Sequence, residues 1–465
     1  MFDIGTAKAV LDIAVETGAD FAEIFFEDTV KGSITLMKGK VDASTTRRLY
    51  GAGIRILKGE EEIYGYTSDV TEEGLYALAR RLRDGFLGER VLAPFALKEG
   101  TAKPTAVRIE RESKDVPLGE KIGYLRRVDA VMANYDERIV QRIVQMSDTT
   151  QYVTVANTEG AFIHDVRNQQ RIYATAVAKD GEKSQSNGGS IGGNFGIEGY
   201  EGKDLETFAE DICHACITML TAPEMVGGVY PVIIHNGFGG VLFHEACGHS
   251  LEATAVARGL SVFCGKMGER IASDVVTAID DGTMPGEWGS SNMDDEGKPT
   301  RRNVLIENGI LRGYMIDRRN TRFMGGESTG SGRRESYRYS PTSRMTNTYI
   351  ENGTSTFEEI IAATEHGLFA KSMGGGSVNP VTGEFNFAVN EGYMVENGKI
   401  THPVRGATLI GNGATALLDI DMVANNRSFG HGVCGSRSGS VPANVGQPTI
   451  RIQNMTVGGN GGKEE

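Results

Sequence analysis

The chain has 465 residues, enough for two or three domains and a sizeable core. Its 48 basic and 61 acidic residues leave a net charge of −13, which argues against nucleic acid or an anionic membrane surface as the main partner. No apolar run approaches the ~20 residues of a membrane span, and the opening MFDIGTAKAVLDIAVETG lacks the regions of a signal peptide, so a cytoplasmic protein is expected.

The first predicted helix is capped at Thr6, carries Ala7, Val10, Leu11, Ala14 and Val15 inward, and ends at Gly18. Strand-like runs follow at 21–26, 32–37, 51–57 and 63–66, then a second helix with Leu75, Leu78, Ala79, Leu82 and Phe86 on one face. From Pro117 the pattern returns. A helix with Leu118, Ile122, Leu125, Val128 and Met132 inward precedes strands at 139–146, 152–156, 161–166 and 171–178. A closing helix repeats the earlier spacing with Leu205, Phe208, Ala209, Ile212 and Cys216. Helix, antiparallel sheet, helix, twice over, is the pattern of a duplicated α+β unit, 1–100 and 117–221. The Cys213-His-Ala-Cys216 pattern lies within that last helix, where core packing is the better reading than metal or redox chemistry. Five cysteines in all, unevenly placed, do not make a disulfide framework.

The second half opens on a short buried strand, Tyr230 to Ile234. Asn236 is then the expected cap of a helix running to about Ala257. That helix carries VLFHEACGHSL, residues 241–251, with His244, Glu245, Cys247 and His249. A histidine pair with an adjacent carboxylate suggests a hydrolytic metal site, but the spacing is HExxxH rather than HExxH. Histidines five apart lie roughly 140° from each other around a regular helix, so both reach one metal only if the helix widens locally to i→i+5 bonding. Gly248 is where the backbone would yield.

Residues 280–300, DDGTMPGEWGSSNMDDEGKPT, read as a long polar loop holding the only tryptophan, Trp288, and are a candidate lid. Asn-Gly pairs at 308–309, 352–353 and 397–398 mark turns, the first and third flanked by strand-like runs, and Thr356 with Glu359 forms a capping box. Seven arginines, Arg318, Arg319, Arg322, Arg333, Arg334, Arg338 and Arg344, read mostly as a salt-bridged, solvated face; one or two could hold a substrate, with Arg333, Arg334 and Arg344 the candidates. Cys434, in GHGVCGSR, offers an accessible sulfur as a third metal ligand, with Glu252, Cys247 and His431 as rivals. Residues 457–465 read as a disordered tail.

The segments HEACGHSLEA, DDEG, GRRESY, SRMTNTYIENG, ENGKITHPVRGATLIGNG and VGQPTIRIQNMTVGG together resemble the TldD/PmbA peptidases, on the TldD branch. The match covers nearly the whole second half; the first half agrees in layout. The element pattern as a whole predicts an α+β protein with an N-terminal domain over 1–222 and a β-rich catalytic domain over 223–456 built around the motif helix. The resemblance implies zinc held by His244, His249 and Cys434, with Glu245 as general base. The implied activity is zinc-dependent cleavage of unfolded or extended peptides, in bacteria including leader removal from modified peptide precursors. The implied assembly is a heterodimer with a sister subunit lacking the motif, or else a homodimer. A reading from a different class is a peptide-binding adaptor with a structural zinc, which a fourth protein ligand such as Cys247 or His431 would favour.

Overall fold

The computed structural model describes residues 2–103, 109–379 and 382–462. In the first half one mixed sheet holds β1 (Phe21–Met37), β2 (Lys40–Lys58), β3 (Glu61–Thr67), β4 (Lys98–Thr101), β5 (Ile139–Asn157), β6 (Ala161–Asp180) and β7 (Lys183–Gly193). Its order is β3-β2-β1-β5-β6-β4, with β7 also on β6; every pairing is antiparallel except β4 with β6. The expected short strands are thus joined into ribbons of 17 to 20 residues. Polar stretches such as Glu27 to Lys31 looked like breaks, yet they continue the ladder because a partner strand on each side takes their backbone groups.

The helices α1 (Ile4–Ala14), α2 (Glu72–Arg83), α3 (Leu118–Tyr135) and α4 (Leu205–Thr221) pack as two pairs on the sheet. α1 and α2 bury Leu11, Leu75 and Leu78 against Ile24, Phe26 and Ile54. α3 and α4 bury Leu125, Met132 and Ile212 against Val144, Met146 and Ile172. The first cap is Asp3 rather than Thr6: the Asp3 carboxylate accepts from the Thr6 amide at 2.8 Å, so the helix starts a turn earlier. Cys213 and Cys216 are fully buried in α4, and burial pushes the Cys213 thiol up to about 12, the state of a packed thiol.

The other face of β1 explains why Phe21 through Glu27 are all buried. Alternate residues Ala22, Ile24 and Phe26 face the helices, while Glu23, Phe25 and Glu27 meet the second half of the chain. Phe25 and Val153 pack there against Met293 and Tyr337. The 280–300 segment is therefore not a lid. Its Trp288, Asp294 and Glu296 are buried between the halves, because the sheet's second face needs a cover.

The second half contains a seven-stranded and a six-stranded sheet, both mixed, enclosing one large apolar core. Hairpins turn at Asn308-Gly309 and Asn397-Gly398, all four residues at positive φ as type I′ turns demand; Asn352-Gly353 has no such geometry and makes no hairpin. The capping box at Thr356 and Glu359 forms as expected. The arginines differ from expectation. Arg318, Arg319 and Arg322 pair with Glu159, Glu62 and Asp20 of the first half, and Arg333, Arg334 and Arg344 are buried. The chain end also differs: Val457 and Gly458 complete the strand Ile450–Gly458, since Val457 packs into the core, and Gly461 bridges Val226. Residues 463–465 lie outside the described part. The architecture is α+β, and no described helix is long and apolar enough to cross a membrane.

Candidate metal centre

The motif segment lies within the core of the second half, in short helical pieces. A turn of 3₁₀ helix at Phe238–Gly240 leads into α-helix at Val241–Phe243, π-helix at His244–Gly248 and 3₁₀ helix at His249–Leu251. The widening falls where the five-residue spacing requires it, and the His249 amide bonds the His244 carbonyl. Gly248 has a packing role as well: a Cβ there would lie 2.4 Å from the Met345 sulfur. Asn236 does not cap this segment but donates to the Asn426 carbonyl, and the expected run to Ala257 is broken at Glu252, whose backbone is extended.

That geometry brings both imidazoles to Cys434, which arrives on the strand Ser428–Ser436. His244 Nε2 lies 3.4 Å and His249 Nε2 3.3 Å from the Cys434 sulfur, and all three donor atoms are within 4.8 Å of one another. Ligand-to-ligand edges of a tetrahedral zinc with bonds of about 2.0–2.3 Å are roughly 3.3–3.8 Å, so the donor set fits such an ion on both chemistry and spacing. Burial first, then His249 and Arg344, hold His244 well below the usual histidine range, leaving it neutral and able to ligate. Burial would lower His249 too, but Glu252 and the contact with Cys434 outweigh it and hold it well above that range.

The rivals of Cys434 take other positions. Cys247 is fully buried among core side chains, with burial pushing its thiol far up. His431 faces the Ser190 carbonyl at 3.2 Å and the edge of Trp288. Glu252 accepts from His249 Nδ1 at 3.1 Å, on the far side of the ring from the sulfur. Among the described residues no fourth His, Cys, Asp or Glu joins the cluster. Sequence reasoning placed Glu252 as a rival ligand; its spacing of three from His249 was the available signal for this orienting contact.

Arg344, fully buried, ties the two sides of the site together. Its guanidinium donates to the Cys434 carbonyl, to Ser438 Oγ at 3.1 Å and to the Gly439 carbonyl at 2.8 Å, and its Nε lies 3.9 Å from Glu252 Oε1. Arg334 is equally engaged, paired with Glu23 and bonded to the Asp295 carbonyl. Of the three substrate-binding candidates, Arg333 makes the fewest side-chain hydrogen bonds among the described residues, one to the Met345 carbonyl.

Glu245, 3.7 Å from His249 Nε2, opens with His244, Cys434 and Gly376 on a cavity of about 190 Å³. Phe238, Gly375, Gly432 and Val433 also line a groove of about 630 Å³, so the two adjoin. The strand Ser428–Ser436 ends the six-stranded sheet, and a Cβ on Gly375 opposite would meet nothing within 4 Å.

Three family models match the chain: PmbA/TldA metallopeptidase domain 1 at 22–85, the central domain at 111–220 and the C-terminal domain at 227–459. A metalloprotease TldD homolog of Haemophilus influenzae is 35% identical over 98% of this chain and 96% of its own length. One from Buchnera aphidicola is 31% identical over 95% and 93%. A solved TldE structure from Thermococcus kodakarensis is similar in fold, with a TM-score of 0.79 at 20% identity, covering 97% of this chain and 99% of that one. The same fold occurs in a Thermotoga maritima structure described as a modulator of a DNA gyrase, at 23% identity, TM-score 0.77 and coverage of 94% and 96%. Family models and full-length relatives agree, and the chain belongs to the PmbA/TldD metallopeptidase family.

Proposed function

We propose that the protein is a zinc-dependent peptidase that cleaves unfolded peptides held in extended form. The observation that carries this reading is the His244, His249 and Cys434 donor triangle with Glu245 beside it at the mouth of a cavity. A bound zinc ion supplies Lewis acidity toward the scissile carbonyl and makes water a better nucleophile near neutral pH. Glu245 takes the proton of the attacking water and returns it to the leaving amine. Three donors, with no fourth in the cluster among the described residues, would leave room for substrate and water, which favours catalysis over the adaptor reading. The extended substrate follows from the end strand Ser428–Ser436, whose outer edge beyond the bridge from Phe429 to Gly237 can pair with a peptide backbone and so tolerate many sequences. A sister subunit of the family, or a second copy, would enclose the groove.

A disordered peptide should be cleaved, a stable small domain spared, and its destabilised variant cleaved, all with loss of activity on chelation. Equal rates on the stable and destabilised domains would reject the extended-chain model.

Glu252 has a positioning role under this reading, because it fixes the tautomer in which His249 presents Nε2. Glu252→Gln is expected to weaken zinc binding by about 10–100-fold, read by competition with a chromophoric chelator. Unchanged affinity would remove Glu252 from the site.

A further inference from the structure

A second cavity, of about 270 Å³, lies where the first-half sheet meets the second half, and its walls include Lys31, Trp288, Arg333 and Val433. Val433 also lines the cavity at the metal centre and is the residue before Cys434, so the two spaces are neighbours along one strand.

Arg333 is the unusual element. It is only 8% exposed, yet its one hydrogen bond among the described residues runs to the Met345 carbonyl. The acids that act on it are already engaged: Asp295 accepts from Arg167 at 2.6 Å and from the Arg334 amide at 2.7 Å, and Asp280 accepts from Thr346 and Thr348. Burial, with repulsion from Arg344 and Arg167 beside it, outweighs the attraction of Asp295 and pushes the Arg333 guanidinium down to about 10. A buried cation lacking an ion pair is costly, and Arg333 lines the cavity. Lys31, exposed at the rim and contributed by β1, makes no ion pair among the described residues, although its charge acts on Glu27 of the same strand. The lining sets four cations, Lys31, Arg167, Arg333 and Arg334, against three acids, Asp294, Asp295 and Glu335, each of which already accepts backbone amides, so in a chain of net charge −13 the cavity carries a local excess of positive charge.

We propose that this cavity is a carboxylate subsite, in which Arg333 and Lys31 take the acidic side chain or the C-terminal carboxylate of a peptide lying along Ser428–Ser436. A strand advances about 3.3 Å per residue, so the carboxylate would sit within one or two residues of the bond at the metal centre. Arginine suits the task because its planar fork matches the two carboxylate oxygens. The assignment of the ligand as a peptide rests on the peptidase reading; the anion preference of the cavity does not.

Trp288 is the only tryptophan and lines this cavity, so its fluorescence reports occupancy in the full-length protein without any cleavage assay. N-acetylglutamate amide should give a saturable change at about 10-fold or more lower concentration than N-acetylglutamine amide, the difference expected for a hydrogen-bonded charge. N-acetylalanine, compared with its amide, tests the C-terminal carboxylate in the same way. Arg333→Met should abolish the discrimination. Lys31→Ala, at an exposed position that does not threaten folding, should reduce it by about 3-fold, by removing one rim charge. Equal responses to charged and neutral ligands, or discrimination untouched by Lys31→Ala and Arg333→Met together, would overturn the subsite. Cleavage without any acidic preference in either assay would reject the subsite and leave the peptidase standing. Anion-selective binding in a protein that cuts no peptide would reject the peptidase and leave the cavity's anion preference.

Discussion

Glu245→Gln is expected to retain zinc in full and to lose peptide cleavage by roughly 10²–10⁴-fold, the range for removing a positioned general base. The donor cluster contains His244, His249 and Cys434 but not Glu245, so the amide should leave metal content unchanged. Shape is conserved while proton affinity is lost. Side-chain burial at Glu245 is partial, and the carboxyl lines the cavity beside the metal centre, so the amide is tolerated without a buried unpaired charge. Zinc by elemental analysis and turnover of a disordered peptide are the two readouts. A variant that binds zinc and turns over as the wild type would move the base elsewhere; one that loses zinc would make Glu245 part of the metal's support rather than a base.

Local rules were legible wherever one residue type has one physical use. Asn308 and Asn397 announced their hairpins because Asn-Gly tolerates positive φ at both turn positions. The five-residue gap from His244 to His249 announced a π-turn, since a regular helix points the two rings apart. What stayed hidden depends on partners distant in sequence. Asp28 through Lys31 looked like a break, and only the pairing with Arg47 to Tyr50 on one side and Thr149 to Tyr152 on the other makes them strand. The arginines looked like a solvated face because no local pattern reveals that Glu23, 311 residues from Arg334, will be buried beside it. The loop at 280–300 was misread for the same reason: polarity marks exposure only when no partner surface supplies hydrogen bonds, and here Asp294 caps the amides of Glu296, Lys298 and Gly332.

Arg55→Met is expected to cost about 3–5 kcal/mol of stability, the usual consequence of leaving buried carboxylates without their cation. Arg55 sits in β2 with no exposed side-chain area, 2.7 Å from Glu23 and 2.6 Å from Glu296 of the opposite half, and Glu23 also holds Arg334. Removing the guanidinium leaves Glu296 without its ion pair and Glu23 with Arg334 alone, and it cuts a tie between the first-half sheet and the loop whose neighbouring residues wall the Arg333 cavity. Glu23→Gln should be milder, since its partners Arg55 and Arg334 keep Glu296 and the Asp295 carbonyl. The pH dependence has a definite sign. Burial raises the Glu23 carboxyl, but Arg55 and Arg334 more than reverse this and hold it below its ordinary 4.5. Its contribution is therefore complete above that value and is lost as pH falls through the lowered folded one. Denaturant melts of the wild type and Glu23→Gln should thus converge under acid and separate near neutrality. A constant gap between them down to pH 3, well under the ordinary glutamate value of 4.5, would show that Glu23 acts by packing alone.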